Sequence, residues 1–289
     1  MNKIYDKLTD TFDNKLIAKI LTDHIVNLQK IPSYTRNYYW TKKFWAVADL
    51  FQESLKKHPK TLNVLEVGCD NGSNIFIFNT IFKNKKQFNF YGLDINIASM
   101  YLGNIIKKNF SNKNIHFLAS DASNLAINSE SIDVLISREV LEHLPKPEMA
   151  LKEFNRVLKI GGSLIITTPN ADNIFVRFKN YFKSIKSSLT NNNTQSIQKS
   201  GISSDLIKAE IGEGYGHISV KSINEWKSLL KTDGYKIQKV IRGSVIIGGS
   251  KWDRRRVLFG FLLAIESILD NLPLFRNFSE DVIILAKKT

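Results

Sequence analysis

Cysteine occurs once in the 289 residues, at Cys69, so the chain can form no internal disulfide and suits a reducing compartment. Acidic side chains are scarce beside basic ones, 27 against 41, which leaves a net charge of +14 and raises the question of a polyanionic partner. Lysine is abundant throughout, however, and no RNA-binding module is recognisable, so a nucleic-acid partner is not favoured. No apolar run reaches the ~18 residues of a membrane-spanning helix. The first residues, MNKIYDKLTDTFDNK, lack the apolar centre of a signal peptide. The expected location is the cytoplasm, and a hydrophobic content of 43% is enough for a substantial core.

What is present centres on Asn63 to Asn74, NVLEVGCDNGSN. Leu62, Val64, Leu65 and Val67 read as a buried parallel strand, which stops at Gly68-Cys69-Asp70-Asn71-Gly72 before a new apolar run from Ile75 to Ile81. Strand, glycine turn and helix make a cofactor site, because glycine lets a ligand approach the backbone and the helix N-terminus faces it. A dinucleotide fingerprint needs a third glycine, and Glu66 at the strand end would repel phosphates and suit a cation. Two further strands, Phe88 to Asp94 and Ile115 to Ser120, also run into acids, Asp94 and Asp121. The result is a row of carboxylates along the ligand-binding edge of a parallel sheet. Asp94 is placed to accept from two vicinal ribose hydroxyls, or alternatively to cap the next helix. Cys69, inside the turn, reads as packing rather than as a nucleophile.

The turn resembles motif I, E/D-x-G-x-G-x-G, of the class I S-adenosylmethionine-dependent methyltransferases, with Asp70 where the family's middle glycine stands. Asp tolerates left-handed backbone better than most residues, so the turn survives. The resemblance implies S-adenosylmethionine as cofactor, held by Glu66, Gly68, Cys69, Asp70 and Gly72. It further implies that Asp94 binds the ribose, Ile95 packs on the adenine, Asp121 meets the adenine amine and Ala122 offers its backbone amide. A fourth strand, Ser131 to Ser137, adds Ser137 to this set. No metal is expected.

After that strand come Pro145 and Pro147, which suit a helix start, and Gly161-Gly162, which would end the helix before a fifth strand at Ser163 to Thr168. The wording LEHL, then RVLKIGGSL, resembles the methyltransferases of the type 11 group that includes the ubiquinone and menaquinone enzymes, over about Leu62 to Asn170. His143, in the loop after the fourth strand, either takes a proton from an attacking hydroxyl, caps the following helix or orients the loop. His217 and Tyr215, in a stretch that also resembles the family's C-terminal pattern, are second candidates for substrate contact or base. The family's antiparallel hairpin is expected from Tyr235 to Ile241 and Asp281 to Lys288.

The expected fold is thus a doubly wound α/β sheet of seven mostly parallel strands, Rossmann-like, with helical additions. Residues 1–58 read as an N-terminal helical cap. A cofactor-binding core follows at 59–170, then a polar insertion or lid at 171–215 and the remainder of the fold at 216–289. An apolar helix following Lys251, Arg254, Arg255 and Arg256 interrupts that last part at about 250–276. Segment 251–275 either contacts an anionic membrane peripherally, packs on the domain or forms a dimer interface. The reaction expected is O- or N-methylation of a small-molecule or lipid-linked acceptor. The alternatives are an RNA methyltransferase and a non-catalytic S-adenosylmethionine-binding module.

Overall fold

The computed structural model describes residues 34–55, 61–82, 87–108, 114–173, 216–244, 256–272 and 279–289. The amphipathic helix expected between Tyr5 and Gln29, the insertion at 174–215 with Tyr215, the basic residues 251–255 and the side chains of Tyr38, Tyr39 and Trp40 lie outside the described residues.

Seven strands form one sheet: β1 (Thr61–Val67), β2 (Gln87–Asp94), β3 (Ile115–Ala119), β4 (Ile132–Arg138), β5 (Leu158–Pro169), β6 (Tyr235–Arg242) and β7 (Asp281–Lys288). Their order is β3-β2-β1-β4-β5-β7-β6, with β1 to β5 paired in parallel and β7 antiparallel to both β5 and β6. This is the doubly wound sheet with a terminal antiparallel hairpin that the sequence predicts. The strand order reverses between β1 and β4, which opens a crevice at their carboxyl ends.

Six helices cover the sheet among the described residues: α1 (Tyr34–Ser54), α2 (Ser73–Phe82), α3 (Ile97–Lys107), α4 (Pro147–Val157), α5 (Ile223–Thr232) and α6 (Arg256–Asn271). Strand alternation divides the core. Leu62, Val64, Val134 and Ile136 turn to one face, against Phe44 and Phe51 of α1 and Phe76 and Phe78 of α2, where Phe51 and Phe78 stack at 5.2 Å. Leu65, Val67 and Leu135 turn to the other, against Leu151 and Phe154 of α4 and Trp226 and Leu230 of α5. Burying each such side chain stabilises by about 1.5–3 kcal/mol.

One boundary differs from expectation. The double glycine does not separate helix from strand: α4 ends at Val157, Leu158 already pairs with Ile132, and Gly161-Gly162 lies inside β5. There Gly161, at φ +75°, accommodates the register slip between Ile132 and Val134. The Ser222–Glu225 capping box starts α5 as its spacing predicts, and Gly234, at φ +79°, follows its end.

Candidate functional site

The turn after β1 is tied to β2 by Gly68 N–H and Cys69 N–H, which both donate to Leu93 O at 2.7 and 3.1 Å. Its backbone is left-handed at Gly68 (φ +72°), Asp70 (+48°) and Gly72 (+78°). A Cβ on Gly68 would stand 2.1 Å from Val140 Cγ2, so only glycine fits. Asp70 tolerates its conformation through local bonds: its N–H donates to Asp94 Oδ2 (2.9 Å), and its Oδ1 accepts from Ser99 Oγ (2.6 Å). Cys69 is buried, and burial together with the carboxylates around it pushes its thiol well above the ordinary range, which is the opposite of a nucleophile's environment.

Asp94 also accepts from Asn96 N–H at 2.9 Å. Helix α3 is capped by Asn96, whose Oδ1 accepts from Ala98 N–H and Ser99 N–H, so Asp94 is not the cap. Its neighbour Ile95 is 64% exposed, an apolar side chain with no core to fill. Beyond β3, Asp121 is exposed and accepts from Ser123 N–H (2.7 Å), while Ala122 is buried. Glu66 is buried; its Oε1 accepts from Asn74 Nδ2 (2.9 Å) and its Oε2 has no hydrogen-bond partner. Burial pushes this carboxyl up to about 7, against the pull of Arg138 and Asn74.

Arg138, at the end of β4, shares Glu66's face of the sheet. Its guanidinium carbon lies 5.8 Å from the Phe44 ring centroid, its Nε has no partner, and burial lowers its pKa. Ser137, one residue earlier, is buried on the opposite face with its Oγ also without a partner.

After β4 the chain turns through Glu139, again left-handed (φ +53°). Glu139 Oε1 accepts from Thr167 Oγ1 (2.7 Å) and lies 3.2 Å from Lys43 Nζ, which is itself 2.5 Å from Asp281 Oδ2. Burial acts to raise the Glu139 pKa, but Lys43 and Thr167 prevail and hold it below the ordinary value. Leu141–His143 then forms one 3-10 turn that drives Glu142 inward and leaves His143 on the rim. Glu142 is fully buried, no well-aligned hydrogen bond reaches either carboxyl oxygen, and burial with the nearby Glu139 pushes it up to about 8 against weak support from its own N–H and the Thr168 hydroxyl. The segment before α5 is sewn to this turn by Ile218 N–H and Ser219 N–H, which both donate to Glu142 O at 2.9 Å. It brings His217 beside His143, ring centroids 5.0 Å apart, and Gly216 O to 3.1 Å from His143 Nδ1. Helix α4 takes Lys146 as its N-cap, so His143 does not cap it.

Glu66, Asp94 and Asp121 therefore stand at the ends of three adjacent strands, with His143 and His217 together beyond β4. Sequence reasoning missed Asn74, Arg138, Glu142 and Lys43. Arg138 alone had a local signal, a charged residue ending a strand of buried ones.

Residues 58–234 match the family model described as a methyltransferase domain. The ubiquinone/menaquinone biosynthesis C-methyltransferase of Campylobacter jejuni is 30% identical over 139 residues, 47% of this chain and 55% of that protein. The mitochondrial ubiquinone biosynthesis O-methyltransferase of Dictyostelium discoideum is 26% identical over 153 residues, 48% of this chain and 46% of its own length. The chain thus spans about half the length of these curated relatives. Among solved structures, a geranyl diphosphate methyltransferase in complex with SAM superposes with a TM-score of 0.54 at 13% identity, covering 92% of this chain and 95% of that one, a likeness of fold.

Proposed function

Because the chain belongs to the methyltransferase-domain family, with 58–234 spanning its sheet from before β1 to α5, we propose that it transfers the methyl group of S-adenosylmethionine to an oxygen or nitrogen of a small-molecule or lipid-linked acceptor. The observation that carries this reading is the crevice of Glu66, Asp94 and Asp121 around a left-handed glycine turn. Its donor set fits the cofactor: a buried carboxylate and a buried guanidinium, each with an orphaned atom, suit the ammonium and carboxylate of an amino acid tail. Asp94 serves the ribose hydroxyls, exposed Ile95 the adenine face, and Asp121 with the Ala122 amide the adenine edge; Ser137, Gly68, Cys69, Asp70 and Gly72 shape the cradle.

The sulfonium of the bound cofactor supplies an electrophilic methyl group. What remains for the chain is to align the acceptor and take its proton. His143 and His217 stand at the rim in that role, and relatives named for ubiquinone and menaquinone biosynthesis favour a lipid-linked acceptor. Incubating the protein with methyl-labelled cofactor and, separately, a lipid extract, an aqueous metabolite extract and RNA tests this. Label entering the lipid or metabolite fraction, and not with Asp94→Ala, is the expected result. Label entering RNA alone would overturn the acceptor class, and tight cofactor binding with no transfer would favour a silent binding module.

A second feature favours delivery at a lipid surface. Among the described residues no helix is long and apolar enough to cross a membrane, yet α6 exposes Val257 (88%), Phe261 (64%) and Ile268 (62%), with Leu272 (43%) just past its end. The spacing puts all four on one side, while Glu266 is buried and pairs with Lys42 of α1 at 3.5 Å. Lys251, Arg254, Arg255 and Arg256 precede or begin the helix in sequence, so the face suits an anionic bilayer. Sedimentation with phosphatidylglycerol vesicles at low salt, lost in Phe261→Ser, is expected; no sedimentation would remove this contact.

A further inference from the structure

Glu142, His143 and His217 offer three ligand atoms that all lie within 4.8 Å of one another. We propose that they form a binding site for one divalent transition-metal ion of the manganese or zinc class, at the mouth where the acceptor enters.

The first argument is the direction of the His143 ring. Gly216 O, 3.1 Å from Nδ1, can only accept, so Nδ1 carries the proton and in the neutral ring Nε2 presents a lone pair. A backbone carbonyl holding the far nitrogen is the usual support of a metal-binding imidazole. Nε2 lies 3.9 Å from Glu142 Oε1. That is too long for a hydrogen bond, yet two atoms that each stand ~2.1 Å from one ion are separated by roughly 3–4 Å. The ligand atom of the exposed His217 lies within 4.8 Å of both others, near enough to complete the set.

The second argument is Glu142 itself. Its side chain is 0% exposed, and no well-aligned hydrogen bond reaches either oxygen. A buried carboxylate held only by weak contacts from its own N–H and the Thr168 hydroxyl is unfavourable unless a cation or proton meets it. The nearest built-in cation, Lys43, is engaged by Glu139 and Asp281. The turn that buries Glu142 also accepts two backbone hydrogen bonds from the His217 segment, so ligands distant in sequence are held as one unit.

Two imidazoles and one carboxylate suit manganese, iron or zinc better than magnesium, and three protein ligands leave positions open for an acceptor oxygen. The inference rests on the methyl-transfer reading only for the use made of the ion. In that use the imidazoles are ligands rather than free bases, and the ion lowers the pKa of a coordinated hydroxyl. The proton leaves to solvent, the methyl passes from sulfur to oxygen, and the sulfur keeps the bonding pair as a neutral thioether.

The test is calorimetric titration of the full chain, stripped with chelator, with Mn2+ and with Zn2+, and with Mg2+ for comparison; S-adenosylmethionine binding is measured on the same samples. One Mn2+ or Zn2+ per chain is expected, weakened at least tenfold in both Glu142→Gln and His217→Ala while cofactor binding persists. Absence of a stoichiometric site for either ion, or unchanged affinity in His217→Ala, would overturn the proposal. The exposed His217 keeps the test decisive should Glu142→Gln fail to fold. A metal site with no cofactor binding would instead refute the methyl-transfer reading and leave the site standing.

Discussion

Replacing Glu66 by Gln should make the ligand-free chain more stable and a poorer binder of S-adenosylmethionine. Burial holds the Glu66 carboxyl at about 7 against an ordinary 4.5, so the folded chain keeps a proton that the unfolded chain releases. The stability this contributes is fully present below pH ~4.5 and is lost as pH rises to about 7. Above that the buried charge opposes folding by about 3 kcal/mol, at 1.36 kcal/mol per pH unit. Gln is neutral, of the same size, and retains an oxygen for the Asn74 amide. Its NH2 replaces an oxygen that has no partner, which returns about 1–2 kcal/mol. The net expectation is a gain of about 1–2 kcal/mol in urea unfolding at pH 8.5, vanishing by pH 5. Calorimetry at pH 8.5 should show S-adenosylmethionine binding weakened about 30- to 100-fold, the equivalent of one lost charged contact of ~2–3 kcal/mol. A Glu66→Gln variant that is less stable at pH 8.5 and binds the cofactor as well as the wild type would refute the reasoning.

Lys43→Met leaves the carboxylates of Asp281 and Glu139 without the ammonium at 2.5 and 3.2 Å. Removing one member of a buried ion cluster destabilises by about 3–5 kcal/mol, so a thermal scan should show Tm lowered by about 10 °C; an unchanged Tm would contradict this. Gly68→Ala forces a Cβ to 2.1 Å from Val140 Cγ2 at φ +72° and is expected to weaken S-adenosylmethionine binding at least tenfold. Gly161→Ala has a similar φ of +75° but nothing within 4 Å of the new Cβ, so calorimetry should find its cofactor affinity unchanged.

Strands β1, β4 and β7 were legible because each is largely an apolar run bounded by polar residues. Asp281–Lys288 lies where expected, and β1, β2 and β4 shift by a residue at most. The Gly161-Gly162 pair was misread because a double glycine marks a helix stop and a strand irregularity alike; only the pairing of Leu158 with Ile132 decides between them. His143 and His217 were each visible as candidates, but their meeting depends on two backbone bonds to Glu142 O that no local pattern encodes. Nothing in the sequence marks Glu142 as buried; a 3-10 turn places it inside. The cluster of Lys43, Glu139 and Asp281 joins α1, the turn after β4 and the start of β7, three places with no neighbouring signal. For α6, packing, a dimer interface and membrane contact predict the same apolar composition, so the sequence does not separate them; the structure leaves Val257, Phe261 and Ile268 exposed.

The central claim is that the crevice at the ends of β1, β2 and β3 binds S-adenosylmethionine. Titrating the purified chain calorimetrically with S-adenosylmethionine and, in parallel, with NAD tests it most directly, with Asp94→Ala as the variant. Asp94 holds Asp70 N–H and Asn96 N–H at 2.9 Å and is assigned both ribose hydroxyls, so its loss removes two charged ligand contacts. The account predicts one S-adenosylmethionine per chain, no NAD, and affinity at least about 100-fold weaker in Asp94→Ala. Binding of NAD, or S-adenosylmethionine binding that survives Asp94→Ala unchanged, would contradict it.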